Sequence, residues 1–172
     1  YQKLAEELLF LEQFKEAEEV INDGLLRNED NIHLLSLLIN VYRKKGDRKN
    51  SLKLSKQLVS RHSDNWTGYH KLAEEFLFLE QFEEAEKVIN DGLLKDSNNY
   101  YLLVLANDIY RRLKIMKKLD FYSYLIYKKY PNVWKSNFIY AQKLVIENKF
   151  KEAGKVLESF IKKFPSNNKI EI

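Results

Sequence analysis

The sequence predicts an all-α protein built as a repeat array of antiparallel helix pairs. Three observations carry this prediction. The first is composition: of 172 residues, 45% are hydrophobic and 31% charged, with five glycines and two prolines. Such a balance belongs to chains that bury a core, and a strand-rich fold with many tight turns needs more of both turn formers. The second is an internal duplication: residues 1–31 and 69–99 are identical at 23 of 31 positions, at an offset of 68. The third is that 68 halves to 34. Leu35, Leu38, Ile39, Tyr42, Ser51 and Leu58 fall 34 residues after Tyr1, Leu4, Ala5, Leu8, Ala17 and Gly24, and Pro131 and Pro165 are also 34 apart. A period in this range signals stacked supersecondary units.

The chain divides without gaps into repeats 1–31 (short of its first three positions), 32–65, 66–99, 100–133 and 134–167. Residues 168–172 would begin a further helix. In the first repeat Leu4, Leu8 and Leu11 share one helical stripe, and Ala17, Ile21 and Gly24 share a second. Glu12 and Gln13 join the two helices, as Gly46 and Asp47 do in the second repeat. Repeats end on helix stop-and-restart signals at residues 30–31, 63–65, 97–99, 131–132 and 165–167. Ala17, Ala85 and Ala153 let paired helices approach where Leu would hold them apart. Each repeat is therefore stabilised mainly by its neighbours, across a continuous apolar layer.

Tyr69, Leu72, Ala73, Phe76, Ala85, Ile89 and Gly92 stand in order in the third repeat, and Tyr140, Ala141, Leu144, Ala153, Leu157 and Pro165 in the fifth. On these residues the sequence resembles the tetratricopeptide-repeat family, over essentially its whole length and in five tandem repeats. The resemblance implies a right-handed superhelical solenoid, an α-α superhelix whose concave face is lined by the first helix of each pair. There are departures: Ser51 and Leu119 stand where the pattern has Ala, and Asn107 where it has a small residue. Looser packing or altered helix crossing is expected there. A period of 34 rather than 35 sets the chain apart from RNA-reading pentatricopeptide arrays.

The net charge of +4 conceals a segregation. The successive repeats carry −6, +6, −5, +5 and, for residues 134–172, +4. Alternating bands attract adjacent repeats and fix stacking order, although single exposed pairs contribute under about 1 kcal/mol. The same bands could instead drive head-to-tail association, acidic N-terminus to basic C-terminus, giving a homo-oligomer.

Carried over from the family, the groove-lining positions are Gln2, Glu6 and Leu9; His33, Ser36, Asn40 and Arg43; His70, Glu74 and Leu77; Tyr101, Val104, Asp108 and Arg111; and Lys135, Phe138, Gln142 and Val145. Polar groups able to pair a peptide backbone alternate with a few apolar anchors, which suits an extended or helical polypeptide. The bland alternative for any one of them is a solvated helix face. Some family members clamp a C-terminal carboxylate with Lys and Asn. Only Asn40 and Lys71 match here, Gln2 and Glu6 stand where the first repeat would need Lys and Asn, and the clamp is expected to be absent.

The second helix of the fourth repeat holds Phe121, Tyr122, Tyr124, Tyr127 and Tyr130, more rings than one helix turns inward. Phe121 and Tyr124 are expected on the convex side, in a dimer or domain contact, with ordinary partial burial as the alternative. In the fifth repeat Leu157, Phe160 and Phe164 are expected to lie exposed unless another element covers them. These ends, with a first residue that is not Met, lead to the expectation of a fragment of a larger chain.

Other chemistries are poorly served. Without cysteine there is no disulfide frame and no thiolate metal site. His33, His62 and His70 stand in different contexts, with no HExxH, GxSxG, GxGxxG or P-loop in the chain. No cofactor, metal or catalytic residue is expected, and the chain itself is not read as an enzyme. The triplet Asn65, Trp66, Thr67 matches the glycosylation pattern, at a length common by chance. Arg43, Lys44, Lys45, Arg48 and Lys49 crowd one inter-helix turn, and Arg111, Arg112, Lys114, Lys117 and Lys118 the equivalent turn two repeats on. The acidic turn at 80–84 between them would repel a phosphate backbone, so nucleic acid is not the expected partner. No apolar run approaches the roughly 20 residues of a membrane span. A bacterial and cytoplasmic protein is expected.

The function expected from the resemblance is a protein–protein interaction or scaffold module binding a polypeptide segment in its groove. The partner would be another protein, a peptide segment or another domain of the same chain. The alternative is an accessory domain of a larger bacterial enzyme, such as a glycosyltransferase, positioning substrate or assembling subunits.

Overall fold

The computed structural model describes residues 1–165, which form ten α-helices and no strand. The expected helix at 168–172 lies outside the described residues. The helices are α1 (Gln2–Phe10), α2 (Phe14–Arg27), α3 (Ile32–Lys44), α4 (Arg48–Arg61), α5 (Trp66–Phe78), α6 (Phe82–Lys95), α7 (Tyr100–Arg112), α8 (Met116–Lys129), α9 (Trp134–Ile146) and α10 (Phe150–Lys163). Each repeat contributes one odd and one even helix. None of these helices is long and apolar enough to cross a membrane. The chain forms two compact units, Tyr1–Ser97 and one beginning at Asn98.

The repeat is written into the backbone. Glu12, Gly46, Glu80, Lys114 and Asn148, each 34 after the last, take a positive φ of 57–77° between the two helices of their repeats. In the first repeat Gln13 N–H bonds Leu8 C=O at 2.8 Å, and Glu12 N–H bonds Leu9 C=O at 3.2 Å. This is the Schellman pattern, in which one left-handed residue lets two orphan helix carbonyls be satisfied. The same pair of bonds recurs in the other four repeats, for example Asp47 to Tyr42 at 2.8 Å and Gly46 to Arg43 at 3.1 Å. Only Gly46 occupies this conformation without a Cβ.

Restart signals are equally regular. The side chains of Asn31, Asn65 and Asn99 cap α3, α5 and α7, accepting from Leu34 N–H at 3.1 Å, Thr67 N–H at 2.8 Å and Tyr101 N–H at 3.0 Å. Asn65 is thus a helix cap. Before α9 the corresponding position is Val133, which offers no side-chain cap.

In the first unit each odd helix pairs with the even helix that follows, and each even helix packs on the next odd one. Ala5, Ala17, Ile21, Leu34, Leu38 and Val41 form a core across α1, α2 and α3, continued by Leu35, Ile39 and Leu58. Ala17 and Ala85 are fully buried, as their role in close approach requires. Gly24 serves the same end: a Cβ there would lie 2.6 Å from Leu34 Cδ1.

The second unit handles its departures by other means. Leu119, replacing the pattern's Ala, is 3% exposed. Asn107, replacing the small residue, is buried and donates from Nδ2 to Ser123 Oγ at 2.8 Å. Ser123 in turn donates to Leu119 C=O. A satisfied polar bridge between α7 and α8 therefore stands at this departure from the pattern. Tyr110, fully buried, stacks on Tyr122 with ring centroids 5.2 Å apart.

One expectation fails here. Phe160 is 4% exposed, because it tilts against Trp134 of α9 at 5.5 Å and against Phe164 at 4.9 Å. Leu157 and Phe164 are half-buried, and Phe150 and Ile161 are the large apolar side chains that α10 leaves exposed. Helix α9 thus covers Phe160 through Trp134.

Candidate functional site

The expected groove positions of the first unit fall into two groups. Asn40 and Arg43 on α3 and His70 and Glu74 on α5 meet in one polar network. Arg43 donates from Nη1 to Glu74 at 3.1 Å and from Nε to Glu75 at 2.6 Å. Lys71 Nζ donates to Asn40 Oδ1 at 2.9 Å and to Glu74 at 3.3 Å, and His70 Nδ1 lies 3.5 Å from the same carboxylate oxygen. Gln2, Glu6 and His33 are exposed, Gln2 donating to Glu6 at 3.0 Å, while Leu9, Ser36 and Leu77 are half-buried.

Electrostatics bind this network together. Burial opposes the charge of Arg43, yet the Glu74 and Glu75 carboxylates more than offset it and its pKa rises. Burial likewise opposes ionisation of Glu74, but Lys71, His70 and Arg43 outweigh it and hold its carboxyl below the ordinary value. Lys71 and Asn40, the two residues matching a carboxylate clamp, are bonded to each other.

Glu75 is the residue that sequence reasoning missed. It is fully buried, with Ser51 Oγ donating to its second oxygen at 2.6 Å. Ser51 thus fills the Ala position with the hydroxyl that a buried carboxylate needs. The available signal was periodic: Val41 and Ile109, 34 residues either side of Glu75, are both buried apolar side chains. A charge at such a position requires a partner. In the fifth repeat that position holds Lys143, 3.6 Å from Asp120 and 2.8 Å from Glu147.

The basic turn after α3 is largely committed within the first unit. Besides Arg43, Lys45 pairs with Glu18 at 2.6 Å, and the Arg48 guanidinium lies 3.2 Å from the centre of the Phe78 ring. These contacts leave fewer cations for a phosphate backbone than composition suggests.

In the second unit the structure brings four expected residues to one place. Arg111, Phe138, Gln142 and Val145 border an open groove of about 520 Å³, with Ile146, Phe150 and Leu157 completing its apolar wall. Phe138, 41% exposed, stacks on Trp134 at 6.1 Å. Arg111 is paired with Asp108, one turn earlier on α7. Tyr101, Val104 and Lys135 lie on the same helices outside the groove lining, Tyr101 and Lys135 exposed and Val104 half-buried. Ile146 and Phe150 went unnoticed in the sequence because they flank the α9–α10 turn, whereas family groove positions lie within first helices.

On α8 and its C-cap, Phe121 and Tyr124 are exposed at 60% and 49%, and Tyr122, Tyr127 and Tyr130 are half-buried. Tyr124 still meets Tyr140 at 5.8 Å, and Tyr127 stacks on Tyr140 at 4.6 Å. Among the described residues no cluster of His, Cys, Asp or Glu has the geometry to hold a metal ion.

No protein-family model and no curated protein sequence matches the chain. Solved structures do. The thermophilic tetratricopeptide-repeat protein TTC0263 of Thermus thermophilus superposes with a TM-score of 0.76 and 18% identity, covering 95% of this chain and 89% of its own. MamA residues 41 to the end, from Desulfovibrio magneticus RS-1, give 0.73 and 12% over 96% and 94%. YrrB, a tetratricopeptide-repeat protein with an unusual peptide-binding site, gives 0.66 and 16% over 86% and 76%. At such identities the likeness is one of fold. With its 34-residue helix pairs and five matching turns, the chain has the tetratricopeptide-repeat fold.

Proposed function

We propose that this chain is a protein–protein interaction scaffold whose second unit seats a helical polypeptide segment. The observation that carries the reading is the α9–α10 groove, where Phe138, Val145, Ile146, Phe150 and Leu157 form an apolar wall open to solvent, with Arg111 at its edge. Single exposed hydrophobics need no explanation, whereas a concave cluster rimmed by polar groups marks an interaction site. Its shape suits an amphipathic helix with anchors at i, i+3 or i+4, and i+7. Arg111, though paired with Asp108, favours a partner with a carboxylate beside those anchors. YrrB, which shares the fold, carries a peptide-binding site, and that is in keeping with this reading. In the first unit, by contrast, groove-side charges already satisfy one another, so that region acts as internal structure.

The test is selection from a displayed library of helical peptides on the wild-type chain and on a variant carrying Phe138→Glu with Val145→Glu. Both residues are exposed, so the variant keeps its fold. Wild type is expected to enrich peptides with helically spaced apolar residues and the variant to lose them. Identical enrichment by both chains would remove the reading.

A further inference from the structure

We infer that the outer face of α1 is a docking surface for a basic helical hairpin built like residues 32–65. This goes beyond the groove, and rests on the internal duplication seen together with the contacts of its second copy. Lys71, Glu74, Glu75, Phe78 and Leu79 of α5 and its C-cap correspond, 68 residues earlier, to Lys3, Glu6, Glu7, Phe10 and Leu11, identical at each position. On α5 the first four of these side chains receive the hairpin of α3 and α4. Asn40 accepts from Lys71, Arg43 pairs with both carboxylates, Ser51 donates to Glu75, and Arg48 covers Phe78.

The corresponding five residues of α1 and its C-cap face solvent and line one shallow depression. Phe10 is 87% exposed against 57% for Phe78, and Glu7 is exposed where Glu75 is wholly buried. The structure thus contains the surface twice, once occupied and once open, and the occupied copy specifies the partner's chemistry. It is a helix pair with Asn, Arg, Arg and Ser spaced as Asn40, Arg43, Arg48 and Ser51, the pattern N-x-x-R-x4-R-x-x-S. Charge agrees: residues 1–31 carry −6 and residues 32–65 carry +6.

A second copy of this chain does not fit that description. Its own α3–α4 hairpin is seated on α5. Neither later hairpin carries the pattern: α7–α8 places Asp108, Arg111, Met116 and Leu119 at the four specifying positions, with an acid for Asn and no hydroxyl, and α9–α10 places Gln142, Val145, Phe150 and Ala153, which brings Glu7 no cation. The occupant is therefore a hairpin from sequence other than residues 1–172, recognised by two arginines and a hydroxyl.

The experiment appends residues 32–68 directly before Tyr1 of the full chain, recreating the Gly68–Tyr69 junction, and follows thermal unfolding. The expected result is a melting temperature raised by more than about 4 °C. Glu7→Gln in the fused chain, or Arg43→Ala in the appended hairpin, removes most of that rise. Glu7→Gln in the unfused chain changes nothing, because Glu7 is exposed there. No rise, or a rise indifferent to Glu7→Gln, overturns the inference. Should the fusion not fold, a synthetic 32–68 peptide is titrated against the 172-residue chain with hydrogen exchange as readout. Protection of α1 amides that disappears with Glu7→Gln supports the inference, and absent or Glu7-independent protection overturns it.

Discussion

Arg43 Nε donates to the Glu75 carboxylate at 2.6 Å, joining α3 to the wholly buried charge on α5. A buried ion is costly unless paired and hydrogen-bonded, and Glu75 has both, from Arg43 and Ser51. Arg43→Ala should therefore cost about 3 kcal/mol, because it strands the carboxylate. Replacing the pair together, Arg43→Met with Glu75→Met, should cost less than about 1.5 kcal/mol, since an apolar pair of similar volume needs no compensation. Urea unfolding of wild type and the two variants decides this. Equal losses in the single and double variants would show that packing, not charge, dominates there.

Glu74 gives the same network a pH signature. Its carboxyl is held below the ordinary value of 4.5 in the folded chain, so it binds fewer protons folded than unfolded. Its contribution is complete above that ordinary value and is lost as pH falls through the depressed one. The stability gap between wild type and Glu74→Gln should be largest near neutrality and close as pH drops below about 4. A gap that widens on acidification would reverse the assigned sign.

The inter-helix turns make a conformational prediction. Lys114 holds φ at 57°, where a Cβ costs about 1–2 kcal/mol. Lys114→Gly should raise stability by roughly 1 kcal/mol. Gly46→Ala should lower it by a like amount, since φ there is 77° and an added Cβ meets nothing within 4 Å. Denaturation midpoints of the two variants should move in opposite directions.

Leu119 sets packing against repeat pattern. Ala17, Ala85 and Ala153 occupy its position elsewhere. Yet Leu119 is 3% exposed, and Leu119→Ala should cost about 2–5 kcal/mol through the cavity left between α7 and α8. A neutral result in calorimetry would mean that α8 collapses to the spacing of the Ala-bearing repeats.

Much of this architecture was legible because periodicity is a local property. Residues 34 apart share one backbone role, as Asn31 and Asn65 do as caps, and residues 68 apart do too, as Glu12 and Glu80 do as left-handed turns. The positions that departed from the pattern were also visible as departures, but their remedies were not. Ser51 answers Glu75, 24 residues on, and Asn107 answers Ser123, 16 residues on. Periodicity marks an irregular position without naming its partner, and the same gap explains Phe160, whose cover by Trp134 crosses from one helix to the next. For the candidate site, first-helix positions 111, 138, 142 and 145 were readable from family spacing. Ile146 and Phe150 join them only because the α9–α10 turn folds them to the same wall.

The most direct measurement is hydrogen exchange of the chain with and without a peptide selected on it. The account predicts protection concentrated on α9 and α10, around Phe138, Val145 and Phe150, which vanishes with Phe138→Glu and Val145→Glu. Protection confined to α8 around Phe121 and Tyr124, with α9 and α10 unchanged, would contradict it.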